Sequence, residues 1–545
     1  MSETNVLVFV HIPTHFAEML RVARLLQGTA RYRPLVVFNA MYEGVDGDVE
    51  ACRRLGIETV TEDRYSRYLP PKPPLTGIAR WINRQLRGAR ARFVRGTRHG
   101  PVWQLRLAYR ATRRGAFALV RAVFRLSRSD NPVIRGVRLV VWALLAPFVF
   151  LLRSPLRRAL VALFGFVFRR LPFLLPPDIA AQRYFTRILP GLLERNRVGV
   201  VVVPEDNFFY FTNLLIRGVH ERGGVAVVVP FTIVNVREWA EAFHREPACD
   251  ASMLVNRVIA ELFPAWTHEY RGRRMVLPAQ QVLAAQYHRA APPVPWLINS
   301  GHADAIAAES PFMADYYRRA GIPDRQVRLT GALYDDVLHR GLARAAQDRE
   351  DLYREAGLPP GRPMLLCAMP PNQLRGSGRP QCAFQDYGLI LEAFAGPLEA
   401  IADEWNVVVS LHPRITAEEA GALAGRRLFV SRRNIADLVP LSRIFVASSS
   451  ATIRLAVTCA IPVVNYDVYA YDYDDYRDVP GVVTMTRQED YAAWVDGLAR
   501  HPETWEKSRA ALAEFARDRA VLDGRAGERL LALLDALLAA RPAIQ

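Results

Sequence analysis

Short apolar, β-rich runs alternate with stretches of helical periodicity in two separate blocks of this chain, and that rhythm restricts its fold more than any other feature. In the first block Val6–Val10 reads as a strand and Phe16–Leu26 as a helix, followed by strand runs at Leu35–Phe38 and Gly56–Val60. The rhythm resumes with Val200–Val203, the helix Phe211–Glu221 and Val225–Val229. It closes with Ala305–Ala308, the helix Pro311–Ala320 and Val327–Thr330. A strand that returns to a parallel neighbour needs a crossover, nearly always right-handed, so the pattern predicts parallel sheets flanked by helices. The second block begins at Pro363. Its expected strands are Met364–Ala368, Asn406–Leu411, Leu428–Val430, Ile444–Ala447 and Pro462–Tyr466, with helices at Tyr387–Trp405, Ile435–Leu441 and Ala451–Cys459. After Thr486 the chain reads as helical. At 545 residues the chain exceeds one ordinary core, and two or three domains are expected. The boundaries drawn are 1–334 for a first domain, 335–362 for a linker helix, 363–488 for a second domain and 489–545 for terminal helices. The stretch 237–292, rich in Trp, Tyr, His and Arg, reads as irregular.

A second constraint is charge. Residues 70–177 interrupt the first block after Pro70-Pro71-Lys72-Pro73-Pro74. They hold 22 of the 71 Lys+Arg and one of the 54 acids, Asp130, so the net +17 of the chain belongs to this segment. Arg113, Arg114, Arg121, Arg125 and Arg128 share helical spacing with Phe117, Val120 and Phe124. Leu139–Leu152 then runs fourteen residues without charge, broken by Pro147, and Ala159–Phe168 is apolar again. A bilayer span needs about 20 apolar residues. Shorter basic and apolar runs lie in the membrane interface and bind anionic lipid. The segment is expected to be a basic amphipathic helical insertion on an anionic membrane surface. Nucleic acid is the rival partner for a basic stripe, and the long apolar runs weigh against it. Five scattered cysteines without a CxxC pair argue against a disulfide framework or a structural zinc site and fit a reducing compartment. The Ser2-Glu3 flank of the first apolar run is not basic, so no secretory signal is expected. Neither a Gly-rich dinucleotide fingerprint nor a Walker A loop appears, which counts against NAD enzymes and P-loop kinases.

Three features carry chemistry. Ser448-Ser449-Ser450-Ala451-Thr452 lies between a strand and a helix. Helix-start amides and the hydroxyls of Ser448, Ser449, Ser450 and Thr452 suit an anionic phosphate, with plain capping as the alternative. His412-Pro413-Arg414 ends another strand of the same block, where open α/β sheets bind ligands; His412 would bond a phosphate oxygen or protonate a leaving group, and Arg414 would clamp the phosphate. The loop from Asn372 through Arg375 to Arg379, rich in Gly and Ser, can close over an anionic donor, with a disordered surface loop as the equal alternative. In the first block Glu205-Asp206 follows a strand. Paired carboxylates there can supply a general base, since repulsion raises one pKa, or they can cap the next helix. His15, in the loop His11-Ile12-Pro13-Thr14-His15 at the same edge, is the rival base. Asp472-Tyr473-Asp474 imitates a metal-binding DxD but reads as an acidic, Tyr-rich loop.

These residues, in this order, resemble bacterial GT-B enzymes of capsule and cell-envelope polymer synthesis, namely capsule Kdo and sialic acid transferases and CDP-glycerol glycerophosphotransferase-like proteins. His412-Pro413 is similar to their "HP" motif, Ser448–Ser450 to their "SS/T" motif, and Glu205-Asp206 to their acidic motif. The segments Glu309–Met313 and Thr330–Asp335 are similar to the stretch that closes their first domain. The resemblance implies an α/β, GT-B fold: two Rossmann-like domains facing across a cleft, with the basic, apolar helical insertion in the first. It implies a metal-independent glycosyltransferase or polyol-phosphate transferase at the cytoplasmic face of the inner membrane. Its substrates would be a nucleotide-sugar donor and a lipid-linked or glycan acceptor, with no cofactor and no nucleic acid. The donor would be held by His412, Arg414, Ser448, Ser449, Ser450, Thr452, Asn372, Arg375 and Arg379, with Glu205, Asp206 or His15 as catalytic base. Two other readings remain: a nucleotide-sugar epimerase of the UDP-N-acetylglucosamine 2-epimerase type, which turns over without an acceptor, and a non-catalytic membrane scaffold, which binds no nucleotide.

Overall fold

The computed structural model describes residues 3–39, 42, 44–70, 177–207, 211–231, 236–244, 246–374, 382–412, 414–471 and 476–541. The expected insertion falls almost entirely on 71–176 and lies outside the described residues, as do Arg375, Arg379, Pro413 and Asp472–Asp474. The chain divides into two compact units. One comprises Met1–Arg64, Leu193–Glu238 and Pro292–Gln545, the other Tyr65–Leu192 and Trp239–Ala291. Among the described residues no helix is long and apolar enough to cross a membrane.

The first unit holds two sheets. The strands β1 (Thr4–Val10), β2 (Tyr32–Phe38), β3 (Glu58–Val60), β4 (Val198–Val203) and β5 (Val225–Val228) belong to one of them. In the second unit lie β6 (Thr267–Tyr270) and β7 (Arg273–Val276). The first sheet is completed by β8 (Ala305–Ala308) and β9 (Val327–Leu329). Its order is β3-β2-β1-β4-β5-β8-β9, with every described pairing parallel. The other sheet contains β10 (Met364–Met369), β11 (Asn406–Leu411), β12 (Phe429–Ser431), β13 (Ile444–Ala447), β14 (Val463–Tyr466) and β15 (Val482–Met485). Its order is β12-β11-β10-β13-β14-β15, again all parallel. The fold is α/β with two Rossmann-like domains, as the alternation predicts.

The strands read as unbroken apolar runs because both faces of each sheet are covered. In β10, Leu365, Cys367 and Met369 pack with Ile390, Phe394 and Tyr491 on one face. Met364, Leu366 and Ala368 pack with Leu338, Leu352 and Tyr353 of the helix Leu333–Ala356 on the other. Each such large side chain contributes about 1.5–3 kcal/mol of burial. The last helix, Ala526–Ala539, returns to the first sheet: Leu530, Leu533 and Leu534 join the core of Val6, Val8, Met19 and Val22. Asp336 anchors that return. Its carboxylate accepts the amides of Ala526 and Gly527, both at 2.9 Å, at the helix's start.

The structure differs from the sequence reading in two places. The stretch read as irregular holds the helices Val236–His244, Leu254–Leu262 and Ala279–Tyr287 and the antiparallel hairpin β6–β7. Arg271 and Gly272 turn it with φ of 47° and 71°, the two-residue geometry that suits strand twist; an arginine at the first position conceals the usual Asn-Gly signal. β15 is also additional: it has four residues, and its exposed Thr484 leaves little apolar pattern to detect.

Replacing Asp336 by alanine removes both acceptors at the start of Ala526–Ala539. The expected loss is about 1–2 kcal/mol, read as a lower urea midpoint with the m-value unchanged. An unaltered midpoint would mean that apolar packing alone docks the helix.

Candidate functional site

In a doubly wound sheet the chain leaves the centre in one direction and later returns to build the other half. The crevice where it reverses lies outside the carboxyl ends of the strands and is where such sheets bind ligands. The orders place these switch points between β10 and β13 in one sheet and between β1 and β4 in the other.

At the first of them, Met369 pairs with Leu411, and Cys367 with Val446. The loops carrying Asn372, His412 and Ser448 therefore leave neighbouring parallel strands at one edge, with His412 and Ser448 about 10 Å apart across β10. The amide of Arg414 donates to His412 Nδ1 at 3.1 Å, which leaves the proton of a neutral imidazole on Nε2, facing away from its own loop's bond. Burial, and then Arg414, push its pKa down to about 4. At neutral pH His412 is thus an uncharged hydrogen-bond donor, suited to a phosphate oxygen rather than to supplying a whole proton. Arg414 is exposed and is the charged member of the pair.

The serine run is more committed than its sequence implies. Ser449 sits at φ 41°, in the left-handed region, and its amide donates to Asn465 Oδ1 at 2.7 Å. Ser450 Oγ accepts the Thr452 amide at 3.2 Å and lies 2.8 Å from Thr452 Oγ1. Two amides expected for a phosphate are thereby satisfied within the protein. The helix that follows, Ile453–Thr458, has only six residues, so its dipole adds little. Among the described residues, the amides of Ser450 and Ala451 find no backbone acceptor, and the buried Ser448 Oγ has no hydrogen-bond partner. Asn372 stabilises its own loop: its Nδ2 donates to Glu419 at 3.0 Å, and its Oδ1 accepts the Leu374 amide at 3.1 Å. Tyr469 fastens the same loop by donating to the Pro371 carbonyl at 2.7 Å.

At the other switch point β1 delivers His11 and β4 delivers Glu205. Pro13 starts the helix Pro13–Gln27, and its first turn swings His15 back over the crevice. His15 Nε2 lies 3.7 Å from Glu205 Oε1. The rings of His11 and His15 meet edge-on with centroids 5.4 Å apart, and Phe231 covers His15 at 4.1 Å. One nitrogen of each histidine and one oxygen of Glu205 lie within 4.8 Å of one another, all buried. Burial holds both imidazoles neutral: His15 falls to about 3, and His11 well below its ordinary value, with the neighbouring His15 adding to the effect. Burial raises Glu205 to about 8, opposed by a hydrogen bond with Asn207 and assisted by Asp206. Glu205 Oε1 has no hydrogen-bond partner.

The paired carboxylates expected from Glu205-Asp206 divide their labour. Asp206 accepts the amides of His302 (2.7 Å) and Ala303 (3.0 Å), the Ser300 hydroxyl (2.9 Å) and the Ser300 amide. Burial outweighs these donors and raises it to about 6. With both oxygens engaged it braces the loop entering β8, and it does not serve as a free base. Glu205 keeps that capacity, with His15 beside it.

Sequence reasoning missed His11 as a partner of His15, and it missed Arg454. From the first turn of Ile453–Thr458, Arg454 reaches the other sheet's elements. Its guanidinium lies 4.0 Å from Asp335 and 4.7 Å from the Tyr334 ring centre. Glu309 follows the carboxyl end of β8, and Glu18 lies on Pro13–Gln27; both feel the charge of Arg454, and burial raises the pKa of each. The carboxyl edges of the two sheets thus approach one another at Arg454. The segments Glu309–Met313 and Thr330–Asp335 carried a sequence signal, but nothing in the spacing linked them to Arg454.

No family model matches the chain, and no curated protein sequence does. Solved structures similar to it include the UDP-GlcNAc 2-epimerase from Neisseria meningitidis bound to UDP-GlcNAc, at 10% identity and TM-score 0.47 over 98% of this chain and 100% of that one. A putative UDP-N-acetylglucosamine 2-epimerase from Listeria monocytogenes matches at 10% identity and TM-score 0.47 over 98% and 96%. The wall teichoic acid polymerase TagF matches at 13% identity and TM-score 0.41 over 66% and 76%. At these identities the likeness concerns the path of the chain.

The two carboxylates respond differently to substitution. Asp206→Ala strands three buried amides and is expected to lose about 3 kcal/mol in denaturant unfolding. Glu205→Gln keeps the shape. Because the folded pKa of Glu205 stands above its unfolded value, its contribution is fully present below about 4.5 and is lost as pH rises through about 8. In metal-free buffer, E205Q should therefore gain stability relative to wild type between pH 5 and pH 8. A constant difference across that window would contradict the buried carboxyl.

Proposed function

We propose that this chain is a transferase that moves a sugar or polyol unit from a nucleotide-activated donor to the hydroxyl of a membrane-linked glycan acceptor, in envelope polysaccharide synthesis. The reading is carried by one observation: each sheet gathers its chemistry-bearing residues at its own switch point, and Arg454, beyond β13, acts on Glu309 at the carboxyl end of β8 and on Glu18 of Pro13–Gln27. The motif resemblance supports the choice of transferase. The donor's phosphate is read by His412 Nε2–H, the Ser450 and Ala451 amides, the hydroxyls of Ser449, Ser450 and Thr452, and the charge of Arg414. Fixed donors of this kind meet charge on a departing phosphate without reorganising. For a sugar, the acceptor oxygen forms its bond to the activated carbon while the carbon–oxygen bond to phosphate breaks; for a polyol phosphate, it forms its bond to the polyol-bearing phosphorus while the bond from that phosphorus to the bridging oxygen breaks. The nucleotide leaves with the bonding electrons, and the acceptor's proton is drawn toward the Glu205–His15 end. The basic and apolar segment 70–177 keeps the enzyme at the surface where a lipid-linked acceptor lies.

Thermal unfolding with CMP, CDP, UDP and GDP tests the donor. At 100-fold excess over its Kd the right nucleotide adds about 2.7 kcal/mol, a rise of several degrees. His412→Ala should weaken that binding about tenfold without changing the melting of the free protein. Stabilisation by no nucleotide favours a scaffold, and conversion of labelled donor without acceptor favours an epimerase. The membrane element is tested by co-sedimentation with anionic and zwitterionic vesicles. Binding only to the anionic ones is expected. It should weaken with salt and, on changing Arg121, Arg125 and Arg128 to glutamine, by about 1 kcal/mol per charge. Equal binding to both vesicle types would overturn this element.

A further inference from the structure

The crevice between β1 and β4 has a property that the transfer reaction does not require. Two imidazoles and one carboxylate converge there from three backbone positions: the end of β1, the first turn of the following helix, and the end of β4. Each contributes one atom to a group no wider than 4.8 Å. Two histidines and a carboxylate form the donor set of catalytic zinc and related first-row ions, which keep a position open for water or substrate. Bonds of about 2.0–2.2 Å put tetrahedral ligand atoms roughly 3.4 Å apart. The 3.7 Å between His15 and Glu205 nearly meets that, and a separation of 4.8 Å closes with a relative movement of about 1.4 Å.

The surroundings also suit an ion. Glu205 Oε1 is buried and accepts no hydrogen bond, and a buried carboxylate oxygen in that condition is costly unless a cation or proton answers it. The backbone beneath is held firmly: Asp206, the next residue, is fixed by Ser300, His302 and Ala303. The rings of Phe9 and Phe231 pack against His11 and His15, an apolar shell that strengthens metal–ligand attraction. The carboxylate group at Arg454 has no such composition, having one cation already and no imidazole.

We propose that His11, His15 and Glu205 bind a divalent first-row transition-metal ion of the zinc class. Binding does not depend on the transferase reading. What the ion does there rests on it: an acceptor hydroxyl taking the open position would be polarised and made more acidic.

The test uses the full chain, stripped with chelator and then titrated with zinc against a chromophoric competitor, and with cobalt followed by visible absorption. Uptake of about one equivalent is expected. The cobalt complex should show the ligand-field bands of nitrogen and oxygen ligands without a thiolate charge-transfer band. H11A, H15A and E205Q should each weaken binding on the order of 100-fold or more. H220A, altering a histidine that pairs with Asp304, should not. Melting curves of the stripped variants show that they fold, and isosteric E205Q serves where an alanine does not. Failure to bind a stoichiometric ion, binding that survives all three substitutions, or a thiolate band would each overturn the proposal. Nucleotide stabilisation of the stripped protein is measured in parallel, so loss of the metal site and loss of the donor reading give different results.

Discussion

Parallel pairing of β1 with β4, and of β10 with β13, is the constraint on which the rest of the structure depends. Because the strands run the same way, every loop leaving a carboxyl end emerges on one side of its sheet. Because the chain reverses its winding at those pairs, the loops diverge there and leave a crevice rather than a packed edge. His11 and Glu205 are thereby brought together from positions 194 residues apart in sequence numbering, and Asn372, His412 and Ser448 from loops separated by whole helices. A one-residue slip in either pairing would exchange the side chains of the strand's two buried faces. Burial on both faces, Leu365 and Cys367 against Phe394 and Met364 and Leu366 against Leu338, resists that slip.

Buried polar groups then do what apolar packing cannot, which is to fix orientation. Asp206 spends both carboxylate oxygens on one loop, and that fixes the direction in which the neighbouring Glu205 leaves the strand. Asn465 does the same for Ser449, whose left-handed backbone would otherwise relax. Arg454 carries this across to the other sheet, where Asp335, Glu309 and Glu18 surround it. These carboxyls are held toward their protonated forms by burial. A contact of that kind adds little net stability compared with apolar groups of the same shape. Its value lies in direction: it ties the helix after Ser448–Thr452 to the carboxyl edge of the other sheet.

The alternation of apolar runs with helical stretches determined the fold class, because only a parallel sheet with crossovers accommodates it. It also located twelve of the fifteen described strands, all but β6, β7 and β15. The edge to which His412, Ser448–Ser450, Glu205 and His15 belong was equally legible, since a residue following a strand must lie at that strand's carboxyl end. What tertiary structure alone decided was which of these groups remain available. Nothing in Glu205-Asp206 tells that the second acid is consumed by Ser300, His302 and Ala303, nearly a hundred residues away, or that Asn465 takes the amide of Ser449. Nor does the spacing His11-Ile12-Pro13-Thr14-His15 show that both rings turn toward Glu205. Periodicity reports which face a residue occupies. Hydrogen-bond satisfaction, pKa and ligand geometry depend on partners supplied by distant strands, and those partners meet only once the sheet has closed.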